Sequence, residues 1–221
     1  MTATAPLLVF DLDGTLVDSV PDIAAAVNRL LAARNLAPLS NPVVAAMVGD
    51  GLQPLIDRVF AAHGTTPDAA AADEYLHDYE ANVAVDTVLF SGMADALHTL
   101  QKDGWRLAVC TNKPENAARM LLDALGVASL FSAIGGGDSF AARKPDPLHL
   151  RETVAAAGGT ASRALMVGDH RNDVLAALGC AIPAIFAGWG YGRPGMEDGA
   201  AAICPTPAEL PAIAAQFLQT A

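Results

Sequence analysis

The chain has 221 residues, 52% of them hydrophobic, and a formal net charge of -11 at pH 7. That length suits one domain, or a domain carrying a small insert, with material for a sizeable core. The acidic balance excludes nucleic acid and anionic membrane as partners, since both need basic surface, and any site for an anionic ligand must bring its own local positive charge.

The three cysteines, Cys110, Cys180 and Cys204, show no C-x-x-C spacing, so neither a disulfide framework nor a zinc site is expected. A reduced, cytoplasmic protein is the expectation. Met1 to Phe10 has no basic leader, and no apolar run is long enough to span a bilayer, so neither a classical export signal nor a membrane span is expected.

In chain order, the apolar run Leu7, Leu8, Val9, Phe10 reads as a buried strand, and Asp11-Leu12-Asp13-Gly14-Thr15-Leu16-Val17-Asp18 follows it directly. A D-x-D-G-T-x-x-D octet arises by chance roughly once per million positions at ordinary residue frequencies. Ile23, Val27, Leu30 and Leu31 then recur at helical spacing from Pro21 to about Arg34. Helices are also predicted over 43–48, 51–62 and 67–85, so residues 20 to 85 read as all-helical.

From residue 86 the pattern alternates. Helices are predicted over 92–102, 114–125, 147–157 and 172–178, and strands over 106–110, 131–134, 164–167 and 182–186. Short apolar strands alternating with helices predict an α/β fold with a doubly wound parallel sheet. Residues 1–19 and 86–221 form the expected core, and residues 20–85 an insert over the carboxyl edge of the sheet, where ligands bind in such folds. That placement makes the insert a candidate cap.

Polar motifs recur at the strand ends. Thr111-Asn112-Lys113 follows the strand ending at Cys110 and precedes a helix, where a hydroxyl and fresh N–H groups suit a phosphate oxygen. Lys144, one of three lysines, lies between Arg143 and Pro145 after Gly135-Gly136-Gly137. Asp169 leaves the strand ending at Val167, and Asp173 lies four residues on, so both can face one point. Asp11 and Asp13, then Thr111, then Lys144, then Asp169 and Asp173 therefore share one edge. Carboxylates crowded around one cationic Lys144 would repel one another, and a divalent cation with oxygen ligands, magnesium above all, is the natural relief.

The order and content of these motifs resemble the haloacid-dehalogenase-like superfamily of aspartate-nucleophile phosphotransferases, and the insert resembles its type 1 cap. Val48-Gly49-Asp50-Gly51-Leu52, Phe90-Ser91-Gly92-Met93 and Gly188-Trp189-Gly190-Tyr191-Gly192 are similar to segments of phosphoglycolate phosphatases and their close relatives. The resemblance implies Asp11 as the nucleophile that forms an aspartyl-phosphate and Asp13 as general acid and base. It further implies Thr111, the Asn112 N–H and Lys144 as phosphate ligands. The Asp11 carboxylate, the Asp13 carbonyl and the Asp169 carboxylate are the implied Mg2+ ligands, with Asp173 orienting them. Gly14 is expected to permit close backbone approach and Thr15 to fix the turn.

The expected partner is a small phosphorylated metabolite, 2-phosphoglycolate first, acted on by a monomer or homodimer. Sugar phosphates, nucleotides and pyrophosphate are the alternatives, and a phosphoglucomutase-type isomerase is a further one. His170 departs from the family pattern, where Ser or Thr is usual; the expectation is that it faces solvent. His63, His77, His98 and His149 are expected at the surface or on cap helices, and Trp189 and Tyr191 in loop packing.

Overall fold

The computed structural model describes residues 5–218. Strands β1 (Leu7–Phe10), β4 (Arg106–Cys110), β5 (Phe131–Gly135), β6 (Ala164–Gly168), β7 (Ala184–Ala187) and β8 (Ala202–Cys204) form one sheet in the order β5-β4-β1-β6-β7-β8. Every pairing in it is parallel. Two further strands, β2 (Val17–Asp18) and β3 (Val88–Leu89), make a short antiparallel ribbon.

The chain winds from β1 out through β4 to β5 and then crosses to β6 on the other side of β1, so the winding reverses at β1. In this class of sheet the crevice at such a reversal, outside the carboxyl ends of the strands, is where ligands bind. The register aligns Phe10 with both Val109 and Val167, so Asp11, Thr111 and Asp169 leave the sheet at nearly one height.

Alternate residues of each strand point to opposite faces, and both faces are covered. Leu8, Phe10, Val109 and Val167 pack beneath α5 (Met93–Lys102), α6 (Glu115–Ala124) and α9 (Leu210–Leu218). Leu7, Val9, Ala108 and Met166 pack against α7 (Pro147–Ala156) and α8 (Arg171–Gly179). Such two-sided burial accounts for strands that read as continuous apolar runs. Strand β8 and helix α9, both in the last two dozen described residues, were not among the predicted elements.

Residues 20 to 85 hold α1 (Val20–Ala32), α2 (Asn41–Ala45), α3 (Leu52–Ala61) and α4 (Ala71–Ala81). Their apolar faces enclose a separate cluster that includes Ile23, Val27, Ile56, Phe60 and Tyr79 and reaches the core at Ala117 of α6. Helix α4 is shorter than predicted: it begins four residues after Pro67, and Ala84 beyond it adopts a positive φ of 59°, which no helix continues through.

The β2–β3 ribbon carries both connections between insert and core. Asp22, buried on α1, fastens the second connection by accepting the Asp86 N–H at 3.0 Å, the Thr87 N–H at 2.9 Å and the Thr87 hydroxyl at 2.6 Å. Asp22→Ala leaves these donors unmatched and should lower stability by about 2–3 kcal/mol, read from urea unfolding. An unchanged midpoint would mean that water replaces the carboxylate.

Candidate active site

Asp11 is the first residue past β1, and its own N–H still reaches the Val167 carbonyl at 2.9 Å, which fixes its backbone to the sheet. Its Oδ1 accepts the Leu12 N–H at 2.7 Å and meets the Lys144 ammonium at 2.9 Å. Its Oδ2 accepts no hydrogen bond among the described residues. One oxygen is thus held and the other is free to react.

Lys144 is buried and also pairs with Asp173 Oδ1 at 2.5 Å. Burial alone would push its pKa down; the Asp11 and Asp173 carboxylates outweigh it and push the pKa up, so the side chain stays charged. The loop that carries it is held by His149, whose Nδ1 accepts the Lys144 N–H at 3.2 Å. His149 is not a surface or cap residue: it is fully buried on α7, with burial and the nearby Lys144 charge lowering its pKa to about 4. The neutral ring is what allows Nδ1 to accept. His77 and His98 are exposed, and His63 is half-buried in the insert.

Asp169 is held on both oxygens. Oδ1 accepts the Thr15 hydroxyl at 2.8 Å and Oδ2 accepts the Tyr191 N–H at 2.8 Å. Thr15 therefore does more than fix its turn: it ties the first motif to the last. Gly14 has φ +83°, and a Cβ there would lie 2.4 Å from Asp169 Oδ2, so only glycine lets these segments meet. Trp189 donates to the Thr15 carbonyl at 2.9 Å, while the Tyr191 hydroxyl accepts the Ser19 N–H at 2.8 Å and donates to Asp18 at 2.8 Å. The glycine-rich loop after β7 thus braces the turn of the octet and the entrance to α1.

His170 does not face solvent. It caps α8: Nδ1 accepts the Asn172 N–H at 3.2 Å, and its own N–H donates to Asp173 Oδ2 at 3.0 Å. A ring nitrogen here performs the usual task of a capping hydroxyl, and burial lowers its pKa, which favours the neutral acceptor form. Its ring lies where a Cβ on Gly49 would approach within 2.8 Å, so insert and core touch at this point.

Asp13 is not part of the Lys144 group. Its carboxylate meets the Lys113 ammonium at 3.0 and 3.1 Å, and Oδ1 also accepts the Ser19 hydroxyl at 2.6 Å. The charge at the site is divided between two buried lysines rather than gathered on one. The sequence presents Lys113 only as a member of the Thr111-Asn112-Lys113 motif; its place among the three lysines of the chain is the signal that singles it out.

Thr111 is buried, and its Oγ1 accepts the Lys113 N–H at 3.2 Å. The Asn112 amide donates to the Gly49 carbonyl at 2.9 Å and the Lys144 carbonyl at 2.8 Å, joining motif, lysine loop and insert. Asn172 reaches the same insert loop, donating to Asp50 Oδ1 at 2.7 Å. Between insert and strand ends lies a cavity of about 50 Å3, lined among others by Asp11, Asp13, Lys113, Tyr75 and Tyr79.

Asp11, Asp169 and Asp173 each place a carboxylate oxygen so that all three lie within 4.8 Å of one another, and all are buried. Burial first, and then the neighbouring negative charges, raises Asp169 to about 8. Burial first, with the Asp11 charge adding and Lys144 opposing, raises Asp173 to about 7. A hard, all-oxygen donor set with this much unrelieved negative charge fits a divalent cation of the magnesium type. Asp173 has both oxygens engaged, by Lys144 and by the His170 N–H, which suits it to hold the others in place.

A doubly wound sheet whose carboxyl edge gathers a half-engaged carboxylate, a buried lysine and a cluster of buried aspartates is the arrangement of an α/β-fold hydrolase that acts on phosphorylated substrates. The family model for haloacid dehalogenase-like hydrolases matches residues 8–187, and the chain belongs to that family. It is 47% identical over 176 residues to a phosphoglycolate phosphatase of Cereibacter sphaeroides, covering 78% of this chain and 80% of that one. It is 41% identical over 190 residues to a phosphoglycolate phosphatase of Mesorhizobium japonicum, covering 84% of each. A crystal structure of a predicted phosphoglycolate phosphatase from Haemophilus somnus 129PT superposes with a TM-score of 0.86 at 28% identity, covering 96% of this chain and 99% of that one. Among the described residues, no helix is long and apolar enough to cross a membrane.

Proposed function

We propose that this hydrolase is a magnesium-dependent phosphomonoesterase that cleaves 2-phosphoglycolate through an aspartyl-phosphate on Asp11. The observation that carries the reading is the Asp11 carboxylate itself, with Oδ1 fixed by the Leu12 N–H and Lys144, Oδ2 accepting no hydrogen bond, and one of its oxygens within 4.8 Å of oxygens of Asp169 and Asp173. The names of the similar proteins support the choice of substrate.

Asp11 Oδ2 attacks phosphorus and the ester P–O bond breaks. Asp13 gives a proton to the departing alkoxide, then takes one from the water that hydrolyses the acyl phosphate and regenerates Asp11. Lys144, Thr111 and the Asn112 N–H hold the phosphoryl oxygens, where fixed positive charge and donors count most. Asp11, the Asp13 carbonyl and Asp169 would hold magnesium, which when bound neutralises charge on the transferring group. Residues 20–85 act as a cap on the core of residues 1–19 and 86–221; the contacts of Gly49 and Asp50 with Asn112 and Asn172 support that role.

The test is inorganic phosphate release, with magnesium, from 2-phosphoglycolate against sugar phosphates, a nucleotide and pyrophosphate. We expect 2-phosphoglycolate to give the highest kcat/KM. Consumption of a sugar 1-phosphate without phosphate release would indicate an isomerase instead.

A further inference from the structure

We infer that Lys113 and Tyr79 form a receptor for the carboxylate of the substrate's leaving group and so set its specificity. This deepens the proposed function and rests on it. Lys113 and Tyr79 come from opposite sides of the same cavity: Lys113 from the core motif after β4, Tyr79 from α4 of the insert. Asp11 lines that cavity too, so a molecule whose phosphoryl group rests on Asp11 extends its other end toward this pair.

Three features make the pair a site for an anion rather than a piece of core. Tyr79 is buried and lines the cavity, and among the described residues its hydroxyl makes no well-formed hydrogen bond, the Lys113 ammonium being the polar group beside it. A buried donor without a partner is costly and is normally satisfied by something. Burial raises the pKa of both Tyr79 and its stacked neighbour Tyr75, so each presents an O–H and not a phenolate. The Lys113 ammonium lies 4.3 Å from the centre of the Tyr79 ring, which holds it at the cavity wall, and it stays charged against its own burial because of Asp13.

An ammonium and a hydroxyl side by side supply a positive charge and two kinds of donor, which is what a carboxylate with two acceptor oxygens needs. Because Tyr79 belongs to the insert, the receptor is complete only where α4 stands over the core, so the insert and the substrate's acid group read each other directly.

The experiment compares kcat/KM for 2-phosphoglycolate with that for its neutral amide, 2-phosphoglycolamide, in the full-length magnesium enzyme and in two variants. Tyr79→Phe keeps the ring beneath Lys113 and removes only the hydroxyl; we expect the acid-over-amide ratio to fall about 10-fold, mostly through KM for the acid. Lys113→Met removes the charge, and we expect the ratio to fall about 100-fold. A structural role alone would lower both substrates together and leave the ratio at its wild-type value, which would overturn the inference. Equal use of acid and amide by the wild type would overturn it as well, while the phosphatase reading stands. Release of phosphate from neither would end both.

Discussion

Asp11→Asn is expected to lower phosphate release from 2-phosphoglycolate by at least about 10,000-fold, the scale on which loss of a nucleophile is felt. The amide keeps the shape of the side chain, and its oxygen can still accept the Leu12 N–H. What it loses is the attacking oxygen and half of the negative charge facing Lys144, the other half being Asp173. The fold should survive, because the Asp11 N–H remains paired with Val167 and removing one of three crowded carboxylates relieves repulsion on Asp169 and Asp173. A circular dichroism melt alongside the assay separates the two effects. If the folded variant keeps more than a few per cent of wild-type turnover, the attacking group is not Asp11.

Much of this site was legible because short-range sequence sets it. The octet follows β1 without a break, and the strands ending at Cys110 and Val167 fall where the apolar runs stop, so the residues after them had to emerge at one edge. What could not be read was which charge meets which. Asp13 and Lys113 are a hundred residues apart and come together only because β1 and β4 are neighbours in register. Tyr191 likewise reaches the octet from the far side of the sheet, through a loop whose glycines must pass against Gly14 and Asp169.

His149 is a different case. With Leu150, Thr153 and Val154 it occupies positions i, i+1, i+4 and i+5 of α7, a helical stripe that is buried throughout. Its polarity concealed a pattern that spacing alone would have placed in the core. His170 is hidden for the opposite reason: it stands directly before α8, where caps fall, but a ring nitrogen is an unusual capping group. Strands β2, β3 and β8, of two or three residues each, carry too little periodicity to be read at all.

Removal of the metal is expected to abolish turnover, with magnesium restoring it and calcium occupying the site unproductively, because calcium prefers more ligands in a looser geometry. The same carboxylates make a second, activity-independent expectation. Asp169 at about 8 and Asp173 at about 7 lie above the ordinary aspartate value of 3.8, so between those limits the folded metal-free chain binds more protons than the unfolded one. The stability they contribute is therefore complete below about pH 4 and is lost as pH rises through 7 and 8. A divalent cation takes the place of those protons, so it competes with them less at high pH and its binding to the folded state stabilises more there. Thermal midpoints in EDTA and in excess magnesium should differ more at pH 8 than at pH 6, with the EDTA sample falling over that interval. A magnesium shift that is the same at both pH values, or larger at pH 6, would mean that the cation does not draw its binding from the Asp11, Asp169 and Asp173 carboxylates.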